Sequence, residues 1–429
     1  MPKNPLRVAT IILAGGQGTR LHPLTLHHCK PAVSYGGRYK LIDVPISNSL
    51  NSDFRQIFIL AQHLSTELQH HIHQTYHFDP YHPGSVEVLL PEKDELGEIQ
   101  WFLGSADAVR KTLPTLLRAS ADYFLILCGD QLYNINFQEM VEFARDKEAD
   151  VTIACLPVPG KEARRMGLLS LDPEDKAEAF HEKPDTIEAM DRFALSEEFY
   201  RKRSLNARSE THFLGSMGIY VFTRDALIDL LAKDPGEDFG KHILYTAIET
   251  KRTVGYIYNG YWEDIGTVVS YYEANLVLTQ TNQCLNTYDE RNPIYTRPTY
   301  LPGPKISCTK ITQSIICEGC IIEAAEIVHS VIGLRSHIKQ GTIIRDSVLM
   351  GNHFYMPPLH EDKPLEYDFW IGENCLIEKA IIDEHVRIGN RVRLINQENL
   401  SHYDGDKIFI RDGIIIVTAG AQLPDDFVL

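Results

Sequence analysis

From residue 8 to about 270, aliphatic and β-branched runs alternate with longer polar or amphipathic stretches; VATIILA, QIFILA, YFLILCGD and DVTIACLPV are the clearest. Short apolar runs spaced by helix-length segments predict an α/β domain, a Rossmann-like, mostly parallel sheet covered by helices. Ligands of such folds gather at the carboxyl ends of strands. The first and third runs end in LAGGQG and CGDQ, so two polar, glycine-containing termini are expected to face one crevice.

Beyond residue 300 the period changes. Apolar residues recur six apart at Ile316, Ile322 and Val328, at Ile332, Ile338 and Ile344, and again at Ile382, Ile388 and Leu394. Neither a helical period nor simple alternation produces that register, whereas a parallel β-helix does, with one short strand per hexapeptide pointing its aliphatic residue inward. A polar, proline-containing segment from about 351 to 368 interrupts the pattern and is expected to be a loop extruded between coils. The stretch RNPIYTRPTYLPGP, 291–304, reads as an interdomain linker. The expected organisation is an α/β domain over 1–285, a linker over 286–305 and a β-helical domain over 306–429.

A chain of 429 residues exceeds the usual ceiling for one hydrophobic core, which agrees with two domains. A formal net charge of −16 disfavours nucleic-acid or anionic-membrane partners, so an anionic substrate must meet locally placed Lys and Arg. Nowhere do about 18 apolar residues follow one another, and a cytoplasmic protein is expected. The eight cysteines are dispersed. Cys317 and Cys320 form the only close pair and lack the second pair of a structural zinc site, so free thiols are expected. The histidine-rich run from His70 to His77 fits a polar helix face better than a metal site.

Candidate chemistry begins with LAGGQGTRL, where Gly15, Gly16 and Gly18, with Thr19, let backbone N–H groups approach an anion. The loop is neither a Walker A sequence nor a GxGxxG fingerprint. Arg20 and then Lys30 supply cations suited to the charge that develops on a pyrophosphate leaving group. Asp130 in CGDQLY and Asp264 in YWEDIG stand at apparent strand ends. Two carboxylates beside a triphosphate suit Mg²⁺, and each aspartate alone serves equally well as a turn or helix cap.

These stretches, with KPAVSYGGRYKLIDVPISNSLNS, WFLGSADAVR, HEKP, GSMGIYVF and DFGKHIL, resemble the glucose-1-phosphate adenylyltransferase (ADP-glucose pyrophosphorylase) family across nearly the whole chain. The resemblance implies ATP and glucose 1-phosphate as substrates, ADP-glucose and pyrophosphate as products, supply of glycogen or related glucan synthesis, and a left-handed β-helix. It places Gly15, Gly16, Gly18 and Thr19 along the nucleotide phosphates, Arg20 and Lys30 as charge-stabilising cations, and Gly104 and Ser105 in the nucleotide pocket. Asp130 and Asp264 would hold Mg²⁺, with Asp130 counted among the catalytic residues. Glu182 would bond sugar hydroxyls and Lys183 the sugar phosphate, with Phe102, Gly167 and Ser216 completing that pocket. Without the resemblance, Glu182 and Lys183 read as a solvated ion pair.

The departures concern control. His27 stands where relatives commonly carry an activator-region lysine, and Glu384 and Ala419 occupy what look like two further lysine positions. Reversing charge at an anion site opposes binding, so activation by sugar phosphates or 3-phosphoglycerate is expected to be weak or absent. Lys93 and Asp94 stand about where relatives carry a glutamine pair near the nucleotide, which leaves ATP favoured over UTP or dTTP. The alternatives are a UTP- or dTTP-using transferase on the same sugar phosphate, a regulatory subunit of the same family and, last, a hexapeptide-repeat acyltransferase. Family members assemble as tetramers, and a homotetramer is expected.

Overall fold

The computed structural model describes residues 6–81, 83–93, 97–203, 211–281, 284–355 and 370–429. Asp94 and residues 356–368 of the proline-containing interruption lie outside them. Apart from the short pair Ser34–Tyr35 and Tyr39–Lys40, the strands of the first domain are β1 (Val8–Ala14), β2 (Gln56–Ala61), β3 (Ser85–Leu89), β4 (Tyr123–Cys128), β5 (Gln131–Tyr133), β6 (Val151–Pro159), β7 (Gly167–Leu171), β8 (Ala177–Glu182), β9 (His212–Thr223), β10 (Thr253–Ile257) and β11 (Trp262–Asp264).

The large sheet runs β8-β7-β9-β4-β1-β2-β3, with β6 pairing β9 and β10. The pairs β4–β1, β1–β2 and β2–β3 are parallel. Strand β1 is apolar but for Thr10 because both faces are covered: Ala9 and Ile11 enter one core, Val8, Ile12 and Ala14 the other. The fourth aliphatic run, β6, does not join those three. The antiparallel β9 stands between, pairing β6 along both of its halves on one side and, on the other, β7 over its first half and β4 over its second. Its register shifts between Ser216 and Tyr220, where Gly218 adopts the left-handed φ of 71°. That bulge opens a fork in the sheet, and the crevice described below lies over it.

Three helices matter for the site and its surroundings: α1 (Asp43–Asn51), α2 (Ser65–Thr75) and α3 (Ser105–Leu116). The histidine run lies on α2 but is not simply a polar face. His70 and His73 are exposed, whereas His71 is buried with its Nε2 2.5 Å from Asp43 Oδ1. No helix among the described residues is long and apolar enough to cross a membrane.

The second domain is a stack of parallel coils. Ile322 pairs Ile338, sixteen residues on, and Ile327 pairs Ile344, seventeen on, so one corner of each coil is shorter than six residues. Hence Ile327, and not Val328, points into the core with Ile322, Ile332, Ile338 and Ile344. Ile382, Ile388 and Leu394 point inward as expected, and Ile316 is half-buried.

Between the domains lies a continuous apolar seam. Val331, Val348, Ile381 and Ile416 face outward from the coils and are fully covered by Leu41, Tyr35, Tyr271 and neighbours from the first domain. Backbones meet there too: Leu334 N–H donates to Gly37 O at 3.0 Å. A Cβ on Gly37 would lie 2.8 Å from Cys317 Sγ. The proline-rich stretch is not a free tether. Tyr295 N–H donates to Ser47 Oγ at 2.8 Å and Asn51 Nδ2 donates to Pro293 O at 3.1 Å, which fastens it along α1.

Candidate active site

The glycine-rich loop leaves the carboxyl end of β1 and tightens into a short 3₁₀ turn over Thr19–Leu21 that buries Leu21. Gly18 is the hinge: its φ is 66°, and a Cβ there would approach Thr25 Cγ2 to 2.9 Å. Gly16 has open space around it, and Gly15 presents its carbonyl to Gln62 Nε2 at 2.9 Å. The loop therefore stands in the open with its two ends anchored. Arg20 projects from it, exposed and with no carboxylate within 4.0 Å among the described residues.

Asp130 follows β4 directly, and its carboxylate accepts from Lys30 Nζ. Asp264 reaches the same place by a different route: β11 pairs antiparallel with β5 so that Asp264 faces Gln131, and Ile265 N–H donates to Asp130 O at 3.1 Å. Burial raises the Asp264 pKa, and the Asp130 charge raises it further against the pull of Lys30 and Arg20. Two carboxylates held close enough to repel each other, with hard oxygen donors, fit an oxygen-seeking divalent cation such as Mg²⁺.

The other end of the crevice is built on the β7–β8 ladder, where Gly167 faces Glu182. A Cβ on Gly167 would lie 2.7 Å from Glu182 Oε2, and one on Gly240 2.8 Å from the same atom, so both glycines leave room for that carboxylate. Lys183 adopts a left-handed φ of 46°, uncommon for a side-chain residue and concentrated at functional sites. Its Nζ is 3.4 Å from Glu182 Oε1 and its side chain is 59% exposed, a loose pair that a ligand can take over.

A cavity of about 320 Å³ is lined by Arg20, Ser105, Gly167, Glu182, Lys183, Ser216 and Asp264. Lys30 and Asp130 sit just behind Asp264. Gly104 and Ser105 are engaged with the DFGKHI segment: a Cβ on Gly104 would meet Glu237 O at 2.3 Å, and that carbonyl accepts from Ala106 and Asp107 N–H at the start of α3. Ser105 Oγ donates to Asp238 Oδ2 at 3.0 Å and accepts from Phe239 N–H at 3.0 Å. Phe102 is not brought into the cavity. Its ring belongs to the main core, and its backbone is held from both sides by Gln62, the residue that also grips Gly15.

Sequence reasoning passed over Gln62, Asp238 and Glu263. Gln62 comes right after β2, at the same carboxyl edge as the glycine loop, so the strand-end rule pointed to it. Asp238 caps the π-turn Phe239–Ile243 and Glu263 adjoins Asp264; both line the cavity and carried no separate signal. Burial, with Glu162 nearby, pushes Glu263 up to about 7.

Glu384 and the residue next to Ala419 meet at the domain seam, whereas His27 itself is not brought into that cluster. Glu384 is buried and accepts from Lys40 Nζ at 2.9 Å, Ser34 Oγ at 2.5 Å and His353 Nε2 at 2.7 Å. Gly420 N–H, next to Ala419, donates to Glu384 O at 2.9 Å. His27 is exposed, while its neighbour His28 pairs with Glu67 and lies 3.9 Å from Asp383.

The nucleotidyl transferase family model matches residues 9–281, and the model of the GLGC left-handed parallel β-helix domain matches residues 299–428. The two matches cover the α/β sheet and the stacked coils respectively.

Proposed function

The chain belongs to the nucleotidyl transferase family, with a GLGC-type left-handed β-helix attached, and on that premise we propose that it converts ATP and α-D-glucose 1-phosphate to ADP-glucose and pyrophosphate. The observation that carries this reading is the cavity itself. It gathers Arg20 and the loosely held Lys183 in one wall with Asp264, whose carboxylate is close enough to Asp130 to be repelled by it, an arrangement suited to two phosphorylated substrates meeting at one centre.

In the proposed reaction a phosphate oxygen of glucose 1-phosphate attacks the α-phosphorus of ATP in line, forming the new P–O bond as the bond to the β-phosphate oxygen breaks. Backbone amides of Gly15, Gly16, Gly18 and Thr19 lie along the triphosphate. Arg20 and Lys30 offset the charge that accumulates on the departing pyrophosphate. Glu182, fixed between its two glycines, accepts from sugar hydroxyls, and Lys183 holds the sugar phosphate. Asp130 and Asp264 are the residues that would hold Mg²⁺, which supplies charge neutralisation and alignment of the triphosphate when bound. Positioning and charge cancellation suffice, with no covalent enzyme intermediate.

The product assignment includes a role in supplying glucan synthesis. We also read the assembly as a homotetramer, because Ile306, Ile311 and Ile321 are left exposed on the first coils; light scattering on the purified protein tests this. The test of the activity is pyrophosphate release from glucose 1-phosphate with ATP, UTP and dTTP in turn, ATP being expected to give the highest kcat/KM. Release with UTP or dTTP alone moves the assignment to another glucose-1-phosphate nucleotidyltransferase. No release with any of the three favours a regulatory subunit.

A further inference from the structure

More carboxylates than cations line the crevice: Glu162, Glu182, Asp238, Glu263 and Asp264 face Arg20, Arg165 and Lys183. A phosphate monoester dianion entering that field is repelled unless each cation contacts it. Roles for Arg20 and Lys183 have been given above; Arg165 has none so far.

Arg165 follows the helical turn Gly160–Ala163 at the end of β6, its N–H donating to Glu162 O at 2.9 Å. The next residue, Met166, accepts from the Lys183 N–H at 3.2 Å, and Gly167 then begins the ladder with Glu182. Arg165 and Lys183 therefore flank the mouth of one hairpin, and the Arg165 charge also reaches Asp264 and Glu263 across the cavity. No carboxylate among the described residues lies within 4.0 Å of the Arg165 side chain, although Glu162 and Glu263 share the cavity wall. The guanidinium is left with its planar fork of donors uncommitted, the geometry that takes a phosphate by two parallel hydrogen bonds.

We propose that Arg165 is a substrate-binding residue that grips the phosphate of the sugar 1-phosphate opposite Lys183. This rests on the functional reading above and adds a second cation to the sugar-phosphate subsite.

The experiment compares wild type, Arg165→Ala and Arg165→Lys. Arg165→Ala is expected to raise KM for glucose 1-phosphate roughly 10- to 100-fold, with KM for ATP changed less than about twofold. Arg165→Lys restores part of the loss, since a lysine keeps the charge and loses the fork. Unchanged thermal melting, expected for an exposed side chain, checks that the fold is intact. Calorimetric titration of glucose 1-phosphate supplies a readout independent of turnover, in which Arg165→Ala weakens binding by a similar factor. Equal affinity in wild type and Arg165→Ala overturns the assignment, as does an equal rise in KM for both substrates. A wild type that binds glucose 1-phosphate through Arg165 yet turns over no nucleotide defeats the functional reading and leaves the subsite standing.

Discussion

Lys40 at the domain seam and Lys183 in the crevice carry the same charge among carboxylates, in opposite conditions. Lys40 is 7% exposed and donates to Glu67, Glu384 and Ser34, so every proton on its nitrogen has a destination inside the fold. Lys183 is 59% exposed, and among the described residues its ammonium has one loose contact, with Glu182. Around the seam, burial opposes ionisation of Glu67, but the hydrogen bond from His28 and the Lys40 charge outweigh it and pull the carboxyl down to about 2. In the crevice burial and mutual repulsion raise Asp264 instead. A polar cluster that neutralises itself holds two domains together; one that does not is waiting for a ligand.

Three substitutions separate these roles. Asp130→Asn should lower kcat by roughly a thousandfold or more, and Lys183→Ala should nearly abolish productive turnover. Wild-type-like kinetics for a folded Asp130→Asn enzyme would remove the central assignment. At the seam the order reverses: Glu384→Ala leaves the buried Lys40 with Glu67 and Ser34 alone and should cost about 1–3 kcal/mol in denaturant unfolding. Its turnover below the melting transition should stay close to wild type, and a collapse of kcat there would join the two clusters functionally.

The pH dependence offers a finer division of the seam. Burial pushes His385 down to about 4, so its contribution to stability is intact above the ordinary value of 6.5 and lost as the pH falls toward 4. Burial pushes Asp383 up to about 6 from 3.8, so its contribution runs the other way, present at low pH and lost as the pH rises through 6. The two oppose each other between pH 4 and 6. Asp383→Asn should therefore steepen the fall in melting temperature from pH 6.5 to 4, and an unchanged slope would contradict this balance. The smallest effect is expected from effectors: with Glu384 already paired to Lys40, addition of 3-phosphoglycerate or a sugar phosphate should change the initial rate little. Strong activation would mean that the seam opens to accept an anion.

The sheet was legible because β1, β2 and β4 are covered on both faces and so are mostly apolar, and the coils because each turn needs an inward residue. Asp130 and the glycine loop were legible because strand ends point at ligands. Val328 was misread because a coil of sixteen or seventeen residues breaks a strict six-residue count at a corner that leaves no mark in local composition. The antiparallel β9, the engagement of Ser105 by Asp238 and the burial of Phe102 in the core all depend on partners far along the chain.

By itself, then, the sequence determined which residue types stand at strand ends and which repeat fills the coils, since both follow from local pattern and burial. Tertiary structure alone decided which cations are spent inside the fold and which remain for substrate. Lys40 and Arg165 look alike in a sequence, and only the distance to the nearest carboxylate tells them apart.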